Sequence, residues 1–559
     1  MNRVKANITH LCVLFLLSLL CSCGVRKSLR HQPQLLGYTA TTGTRLVQSD
    51  TAFAIGPNRL AKNAYGLWEM YLEGDPLALG TANAILAKEL IQRQEQLFFS
   101  KVEELVPSQF KQWLLRKFLA WYNRKLYLNI PEEYKTEIYG VAQAAGDQYD
   151  YIAPKYLRSL YLHGAHDIGH ALQDLALVGC TSFAVWDEQS ADGQLLLGRN
   201  FDFYAGDEFA RDKIIAFVNP SKGYKFASVT WGGMIGVVSG MNDQGITVTI
   251  NAGKSDIPLV AKTPISILTR EILQYASTLE EAIAIAKKRQ VFVSESILVG
   301  SAKDHRAITI EVAPNNFGVY EVQNSAALLC TNHFQSEEYA DDKNNAKAQT
   351  DSHSSYRYAR LSELMDENGK LTPEKAASIL RNKEGLNEVK LGWGNEKALN
   401  QLLAHHAVIF QPEQLRFYVS SNPYQLGSFV SYDLNKVFKN FENQKDSDII
   451  YDQNKTIPAD AFSATEAFKN YEAYRILHRE ILAAIEKEQH VSEEKLRRLV
   501  NLNPDFWEVY FTAGLYHYKR GYLSVAKKWF EKALQREVTT SIDQLTIEKY
   551  VQKINRKLR

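Results

Sequence analysis

From residue 180 onward, short apolar runs alternate with turn residues, a pattern that is typical of strands. The first runs are TSFAVWDE, QLLLGRNFDF, KIIAFVNP and FASVTWGG, followed by the hairpin-like IGVVSGMNDQGITVTINAG. Asp192-Gly193 and residues 242–245 supply turn signals. ISILTREILQYASTLEEAIAIAKKR predicts two helices, and FVSESILVGSAKD, AITIEVAPNNFGVYEV and AALLCTNHF predict further strands. This order of helices and strands favours a layered α+β core.

Upstream of this region, from about residue 58 to residue 161, helical spacing dominates. LGTANAILAKELIQRQEQLFFSKVEELV places apolar residues at that spacing. The following stretch, residues 108–134, is rich in aromatic and basic side chains. We expect its aromatic residues to pack into the core, and a helix lying on a lipid surface is the alternative. The aromatic residues concerned are Phe110, Trp113, Phe118, Trp121, Tyr122 and Tyr127.

The end of the chain predicts a separate helical region. Residues 440–460 are polar and indicate a boundary, and residues 461–559 follow with helical spacing. Within them, NPDFWEVYFTAGLYHYKRGYLSVAKKWFEKALQ resembles one tetratricopeptide repeat. The positions that carry this resemblance are Tyr510, Gly514, Ala526, Phe530 and Ala533. Because one hairpin cannot bury its apolar face alone, we expect it to pack on neighbouring helices or to dock a protein partner.

The N-terminus predicts export and a lipid anchor. Its apolar run, from Leu11 to Leu20, follows Arg3 and Lys5 and is too short to span a bilayer, so residues 1–22 predict a signal peptide. The run ends in LCSCG, which resembles a bacterial lipobox with cleavage before Cys23; an ordinary secretory signal is the alternative. A lipidated Cys23 would hold the protein in the bacterial cell envelope. With no acidic residue directly after it, we expect the outer membrane, with residues 23–57 as a tether.

Composition argues against a nucleic-acid partner and leaves only two cysteines in the expected mature chain. The 559-residue chain carries a formal net charge of +2 and shows neither a basic tail nor an RNA-type aromatic motif, so we expect no nucleic-acid partner. Of five cysteines, only Cys180 and Cys330 would remain as thiols in the mature chain. We expect Cys330 to be a buried apolar residue. Because a disulfide would disable Cys180 as a nucleophile, we expect both thiols to be reduced.

The stretch GCTSFAV places Cys180 directly after a glycine, and this pair carries the chemistry. A thiol is a strong nucleophile only as thiolate, so it needs a nearby base or cation. Cleavage of the Gly179–Cys180 bond would free an α-amino group, whose pKa of about 7.7–8.0 suits that base. Gly179 would allow a strained turn at the bond, and Thr181 and Ser182 would offer hydroxyl groups. From the residues alone, a buried structural cysteine is the alternative.

Four polar residues downstream are candidates for the rest of the site. Arg199 is suited to lowering the thiol pKa or to gripping a polar substrate group. Asp202 is suited to holding the freed amine. Asn251 and Asn332 each follow an apolar strand and are candidate donors to an oxyanion.

These stretches resemble cysteine N-terminal nucleophile hydrolases. GCTSFAV and DGQLLLGRNFDF are similar to the start of the catalytic chain in acid ceramidase and N-acylethanolamine acid amidase. They also resemble isopenicillin-N acyltransferase, of the peptidase C45 type, and more distantly the bile-salt hydrolases. IPEEYKTEIYGVAQAAG, FASVTWGGMIGVVSGMNDQGITVTINAG, LLCTNHF and SSYRYARL resemble further segments in the same order, so the resemblance covers residues 131–433.

The resemblance implies a fold and a set of site residues. The fold is an αββα four-layer sandwich, with residues 58–179 as a helical α chain or propeptide and residues 180–440 as the catalytic chain. Cys180 is the nucleophile, Asn332 helps to hold the oxyanion, and Asn251 and Arg357 complete the site, Arg357 on the substrate. Arg199 and Asp202 are implied active-site residues. Ceramidase-like members have a glutamate after the Asn251 position, where this chain has Ala252, which favours the broader acyltransferase and hydrolase group.

The function that follows is a self-processing amidase without a cofactor. We expect a thioester mechanism on small amphiphilic N-acyl substrates: N-acyl amino acids, N-acylethanolamides or bile-salt conjugates. Resolution by an amine instead of water would make the protein an acyltransferase. The alternative function is a non-catalytic lipoprotein scaffold that docks partners through its repeat-like tail. A peptidase acting on peptidoglycan or peptides is a third possibility.

Other motifs are weaker. His163, His166 and His170 are spaced like a zinc helix, but Asp167 replaces the expected glutamate, so we expect no metal. The pair His405-His406, in a helix-like stretch, is expected to be structural. The four nearby glycines Gly232, Gly233, Gly236 and Gly240 form no dinucleotide-binding fingerprint.

Overall fold

The computed structural model describes residues 24–164, 167, 179–254, 260–443 and 450–558. The expected signal peptide, the lipobox with Cys23, and His166 and His170 lie outside these residues. No helix in the described ranges is both long and apolar enough to cross a bilayer.

Within the described residues, eleven strands form one sheet in the order β1-β2-β3-β4-β7-β8-β9-β10-β11-β12-β13. Neighbours pair antiparallel except β4 and β7, which run parallel from Trp68 beside Ile214 to Gly74 beside Pro220. The strands are β1 Leu46–Ser49, β2 Ala52–Ile55, β3 Asn58–Lys62, β4 Trp68–Gly74, β7 Ile214–Pro220, β8 Phe226–Thr230, β9 Ser239–Asn242, β10 Ile246–Ala252, β11 Glu295–Ser301, β12 Arg306–Val312 and β13 Phe317–Tyr320.

Seven further strands of the described chain form a second sheet in the order β14-β5-β6-β15-β16-β17-β18. All of its neighbours pair antiparallel. The strands are β5 Thr181–Val185, β6 Leu196–Phe201, β14 Ala327–Cys330, β15 His406–Gln411, β16 Arg416–Ser420, β17 Phe429–Asp433 and β18 Asp452–Ile457. The strands expected after residue 180 are thus confirmed.

Helices follow β4, interrupt the later strands and follow β18. They are α1 Pro76–Leu86, α2 Lys88–Leu105, α3 Gln109–Tyr122, α4 Glu132–Val141, α5 Lys155–His163, α6 Ile265–Tyr275, α7 Leu279–Lys287, α8 Lys343–Asp351, α9 Ser354–Asn368, α10 Pro373–Leu380, α11 Leu434–Glu442, α12 Glu466–Glu486, α13 Glu493–Leu502, α14 Trp507–Lys519, α15 Leu523–Leu534 and α16 Ser541–Leu558. The two helices expected over residues 265–289 are α6 and α7.

Apolar side chains hold the two sheets face to face. Phe217 and Leu298 of the first sheet share one buried cluster with Val408 and Phe410 of the second. Helices such as α6 cover the outer face of the first sheet, and α9 and α10 cover the outer face of the second. Because both faces of the central strands are covered, they read as continuous apolar runs in the sequence. The order of layers is therefore helices, sheet, sheet, helices.

The expectation that residue 58 begins a helical region is wrong for residues 58–74. These residues form β3 and β4, and the expected tether contributes β1 and β2. Pairing with the distant β7 decides this outcome, because strand formation depends on neighbours more than on local preference. The first helix after these strands begins at Pro76, where the carboxylate of Asp75 accepts hydrogen bonds from the backbone N–H groups of Leu77 and Ala78.

The expected boundary over residues 440–460 is also partly wrong. β18 lies in this stretch and pairs with β17, so the second sheet continues beyond residue 440. The strand is polar because it forms the exposed edge of the sheet, where charged side chains are favoured.

The aromatic-rich helix is only partly buried. Tyr122 and Tyr127 are each 5% exposed, as expected for core residues. Phe110, Trp113 and Phe118 are 70%, 47% and 41% exposed, so the expectation of core packing is wrong for them. The helix therefore presents an aromatic face to solvent.

The C-terminal region is helical, as predicted, and packs on the catalytic region. Gly514 allows a close approach of α14 and α15, because a Cβ there would lie 2.7 Å from the Phe530 ring. The buried cluster of these helices also takes in Leu402 and Leu426 of the catalytic region. Its relation to tetratricopeptide repeats stays a prediction.

Candidate active site

The second sheet brings Cys180 beside two of the candidate residues. Cys180 directly precedes β5 and is 1% exposed. In the pairing of β5 with β6, Ser182 lies opposite Arg199. Asp202 directly follows the last residue of β6. A thiol, a guanidinium and a carboxylate therefore meet at one end of two neighbouring strands.

Arg199 connects the thiol to the first sheet. Its Nη2 lies 3.7 Å from the Cys180 Sγ. Its Nη1 donates to the Ser239 Oγ at 2.6 Å and to the Val238 carbonyl at 3.2 Å, and Nη2 also donates to the Ile250 carbonyl. The guanidinium is fully buried, and these bonds fix it in place.

Burial dominates the acidity of the thiol in the intact chain. It raises the pKa of Cys180 to about 11, while the Arg199 cation lowers it and the Asp202 charge raises it. The expected effect of Arg199 is therefore present, but desolvation outweighs it. At neutral pH the thiol of the uncut chain is protonated.

Asp202 is a buried carboxylate without a hydrogen-bond partner. Both of its carboxylate oxygens lack one among the described residues. Burial raises the pKa of this group to about 7, against the lowering effects of Arg357 and Arg199. A buried acceptor of this kind is costly unless a donor arrives. The backbone carbonyl of Asp202 accepts the N–H of Gly179 at 3.4 Å, so the backbone of Asp202 lies beside the bond expected to break.

The two candidate asparagines lie in the site with their amides engaged. Asn251 donates through Nδ2 to the Cys330 carbonyl at 3.0 Å, and its Oδ1 accepts from the Ser182 hydroxyl at 2.7 Å. Asn332 donates through Nδ2 to the Ala252 carbonyl at 2.9 Å. In the intact chain, both amides thus bind backbone carbonyls. Their role as oxyanion donors stays a prediction.

Arg357, on α9, holds the backbone of the nucleophile. Its Nη1 donates to the Cys180 carbonyl and to the Thr181 Oγ1, both at 2.7 Å. Its Nη2 donates to the Asn332 Oδ1 at 2.6 Å. Burial lowers its pKa to about 10, so it remains a cation at neutral pH. Contact with a substrate stays a prediction.

Gln401 is a site residue that the sequence analysis missed. Its Nε2 donates to the carbonyl oxygen of Gly179 at 2.8 Å. This contact also explains the glycine, because a Cβ on Gly179 would lie 2.2 Å from that nitrogen. A lone glutamine in a loop carries no sequence signal.

The histidine pair supports Arg199 and does not lie in a helix. His406 begins β15, so the helix-like interpretation is wrong. Since Ser239 accepts from Arg199, its hydroxyl donates to the His406 Nε2 at 2.9 Å. The other nitrogen of His406 then donates to the His405 Nδ1 at 2.8 Å. Burial lowers both imidazole pKa values well below the usual range, so both rings are neutral.

Of the three histidines spaced like a zinc helix, His163 lies within the described residues. His163 uses both ring nitrogens on the backbone, donating to the Ser159 carbonyl at 2.7 Å and accepting from the Ile235 N–H at 3.0 Å. No group of three or more potential metal ligands occurs among the described residues. Cys180 and Cys330 are both buried and unpaired, consistent with the expectation of free thiols.

Comparison with known proteins gives matches over this same region. The family model for acyl-coenzyme A:6-aminopenicillanic acid acyl-transferase matches residues 187–421. An uncharacterized protein of Archaeoglobus fulgidus is 28% identical over 274 residues, which cover 45% of each chain. The N-acylethanolamine-hydrolyzing acid amidase of Caenorhabditis elegans is 24% identical over 234 residues, or 39% of this chain and 63% of the relative. The matches thus span about half to three fifths of these relatives.

Two similar solved structures each cover less than half of this chain. The structure of the Caenorhabditis elegans N-acylethanolamine-hydrolyzing acid amidase ortholog shows a TM-score of 0.32 and 19% identity. That match covers 42% of this chain and 93% of the amidase chain. A mutant of the conjugated bile acid hydrolase from Clostridium perfringens shows a TM-score of 0.30 and 14% identity. That match covers 46% of this chain and 93% of the hydrolase chain. From the family model and the curated amidase, the chain resembles N-terminal nucleophile hydrolases of the 6-aminopenicillanic acid acyl-transferase type.

Proposed function

We propose that the protein is a self-processing cysteine amidase that hydrolyses N-acyl amides through a thioester. One observation carries this proposal: at the Gly179–Cys180 bond, a thiol lies 3.7 Å from a guanidinium and near a buried carboxylate that has no described partner. The first group is a nucleophile, the second favours its anion, and the third awaits a cation. The amide-hydrolysing relative supports the reaction class.

The processing step follows from this placement. The Cys180 Sγ attacks the Gly179 carbonyl carbon, and the peptide nitrogen leaves as the α-amine of Cys180. The resulting thioester is hydrolysed by water, which leaves Gly179 with a carboxylate and Cys180 with a free thiol. Gln401 already donates to the oxygen that becomes the oxyanion.

The amide reaction reuses the same atoms. The freed α-amine takes the thiol proton, and the thiolate attacks the acyl carbonyl of the substrate. The ammonium returns a proton to the leaving amine, and the amine then activates a water molecule that hydrolyses the thioester. Asp202 pairs with the ammonium form, which gives its unpaired oxygens a donor. A second amine in place of water would give acyl transfer.

The proposal includes an amphiphilic substrate and a location at the envelope membrane. Its support is the lipobox-like sequence at Cys23 and the solvent-facing aromatic residues of α3. Phe110 and Trp113 are 70% and 47% exposed, and Lys111 and Lys117 lie in the same helix. Aromatic and basic residues together favour a lipid interface. Partition of the full chain into a detergent phase, lost in Cys23→Ala, would test the anchor.

The function itself is tested with a substrate panel. Purified protein is incubated with N-acyl amino acids, N-acylethanolamides and conjugated bile salts, and the released acid and amine are both quantified. We expect release from at least one class, an acyl adduct on Cys180 by mass spectrometry, and neither in Cys180→Ala. If no amide is cleaved and the thiol stays inert, the scaffold that docks partners through its C-terminal helices becomes the better function.

A further inference from the structure

A cavity with a mixed polar and aromatic lining lies between the catalytic region and the C-terminal helices. Its volume is about 860 Å³, within the range of roughly 300–1,000 Å³ that is typical of pockets for drug-sized ligands. One wall comes from residues of the catalytic region, and the other from α12, α14 and the first turn of α16. Both parts of the chain therefore form it jointly.

The catalytic wall of this cavity borders the active site. His353 lines the cavity, and its Nδ1 accepts from the Arg357 Nε at 3.3 Å. Arg357 in turn donates to the Cys180 carbonyl at 2.7 Å. Tyr204, two residues after Asp202, lines the same wall. The cavity is therefore connected to Cys180 through His353 and Arg357.

The lining carries both signs of charge beside aromatic rings. Arg475 and Glu508 line the C-terminal wall beside aromatic side chains such as Trp507. Across from them, burial raises the pKa of Glu396 to about 7, with a further contribution from Glu508. Such a surface offers hydrogen bonds and ion pairs beside a row of aromatic rings, which suits a small group that carries charge.

The C-terminal wall is fixed to the loop that follows Asp202. Arg475 of α12 donates to the Tyr424 hydroxyl at 2.5 Å and forms an ion pair with Asp207. Arg479 forms a second ion pair with Asp207 at 3.1 Å. The Tyr471 hydroxyl donates to the Leu402 carbonyl at 3.0 Å. These contacts hold the wall in a defined position relative to the site.

We propose that the C-terminal helices complete the substrate site, and that the cavity binds the amine part of the substrate, a polar group of amino-acid to dipeptide size. This inference rests on the proposed amidase function. The cavity is far larger than an ethanolamine group, which would leave most of the charged residues of its lining without contacts. The helices thus act as a specificity element of the enzyme.

Two residues of α16 provide a matched pair for the test. Ile542 lines the cavity and Leu545 does not. They are similarly exposed, at 55% and 52%. Ile542→Trp would occupy part of the cavity, whereas Leu545→Trp adds the same side chain outside it. Because both positions are exposed, neither variant overpacks the core.

The experiment uses the full-length protein and substrates that share one acyl chain, with ethanolamine, glycine or glycyl-glutamate as the amine part. We expect Ile542→Trp to lower the ratio of kcat/KM for the dipeptide amide over the ethanolamide by about tenfold, and Leu545→Trp to leave it unchanged. The ratio is insensitive to the folded fraction. An equal ratio in wild type and Ile542→Trp would overturn the inference.

Calorimetric binding of free glycyl-glutamate separates this inference from the amidase proposal. We expect the dipeptide to bind the wild type and to bind Ile542→Trp about tenfold more weakly. Binding that Ile542→Trp weakens, without turnover of any amide, would support the cavity and count against the amidase. Absence of binding, or equal binding by both, would overturn the cavity's role even if ethanolamides are hydrolysed.

Discussion

The side-chain amide of Gln401 donates to the carbonyl oxygen of Gly179 at 2.8 Å, across the bond that precedes the nucleophile. The contact is buried, with Gln401 only 2% exposed. A donor aimed at a carbonyl in a dry site stabilises the negative charge that develops when the carbon is attacked. The same contact leaves no room for a side chain on residue 179.

Removal of this donor should slow self-cleavage. We expect Gln401→Ala to reduce the rate of processing by about 10²–10³-fold, the usual cost of losing one oxyanion donor. The rate is measured as the loss of intact chain over time by mass spectrometry. Gln414→Ala, in an exposed turn, serves as the control.

Gly179→Ala tests the steric half of the same contact. We expect slow processing, because the new Cβ displaces the Gln401 amide from the carbonyl. Adding Gly179→Ala to Gln401→Ala should cost little more, since the clashing group is gone. Fully additive losses in the double variant would contradict this explanation.

The identity of the nucleophile is tested with the two buried thiols. We expect wild type to yield two chains, one ending at Gly179 and one beginning at Cys180. Cys180→Ala should stay intact, while Cys330→Ala should be cleaved as in wild type. Intact-mass analysis distinguishes these outcomes, and cleavage of Cys180→Ala at the same bond would exclude the mechanism.

The charge of Arg199 should determine thiol acidity. An opposite charge at this range lowers a pKa by about one to three units, so we expect Arg199→Met to raise the apparent pKa of Cys180 by at least about one unit. Arg199→Lys keeps the charge and should stay closer to wild type. The pH profile of alkylation by iodoacetamide reports the pKa directly. Identical profiles for the methionine and lysine variants would refute a charge effect.

The Asp202 carboxyl should make the uncut chain less stable as pH rises. Its pKa is raised from 3.8 to about 7 in the folded state. The folded chain therefore keeps a proton that the unfolded chain releases between these values, and the free energy of unfolding falls over that range. In a Cys180→Ala background, we expect Asp202→Asn to change stability little near pH 4 and to raise it by a few kcal/mol at pH 8, at about 1.36 kcal/mol per pH unit.

Urea denaturation of the two proteins at both pH values measures this difference. Other buried carboxyls, such as Glu69, whose pKa is also raised to about 7, contribute equally to both proteins and cancel. A stability difference that does not vary with pH would show that Asp202 is ionised in the uncut chain.

Local sequence order explains which parts of the site were predictable. Cys180, Arg199 and Asp202 lie on or next to two consecutive predicted strands with a turn signal between them, so their proximity follows from pairing β5 with β6. Gln401 reaches the same bond from more than two hundred residues away, and a single polar residue in a loop gives no pattern. Long-range contacts of this kind depend on the tertiary fold.

The same distinction applies to the fold. Strands after residue 180 were readable because covered central strands form continuous apolar runs. β4, with the sequence WEMYLEG, has no comparable run, and its partner β7 lies far along the chain. The pairing, which sequence spacing does not reveal, decides its conformation.

The parallel pairing of β4 with β7 has a consequence for the life of the molecule. If the chain is cut after Gly179 as proposed, these neighbours in the interior of one sheet belong to separate polypeptides. The sheet then forms while β4 and β7 are still joined by one chain, and this covalent link is absent from the cleaved protein. After denaturation the two cleaved chains would separate and would have to associate again to rebuild the sheet. Renaturation would therefore become second order in concentration. The uncut precursor, by contrast, would renature at a rate independent of dilution.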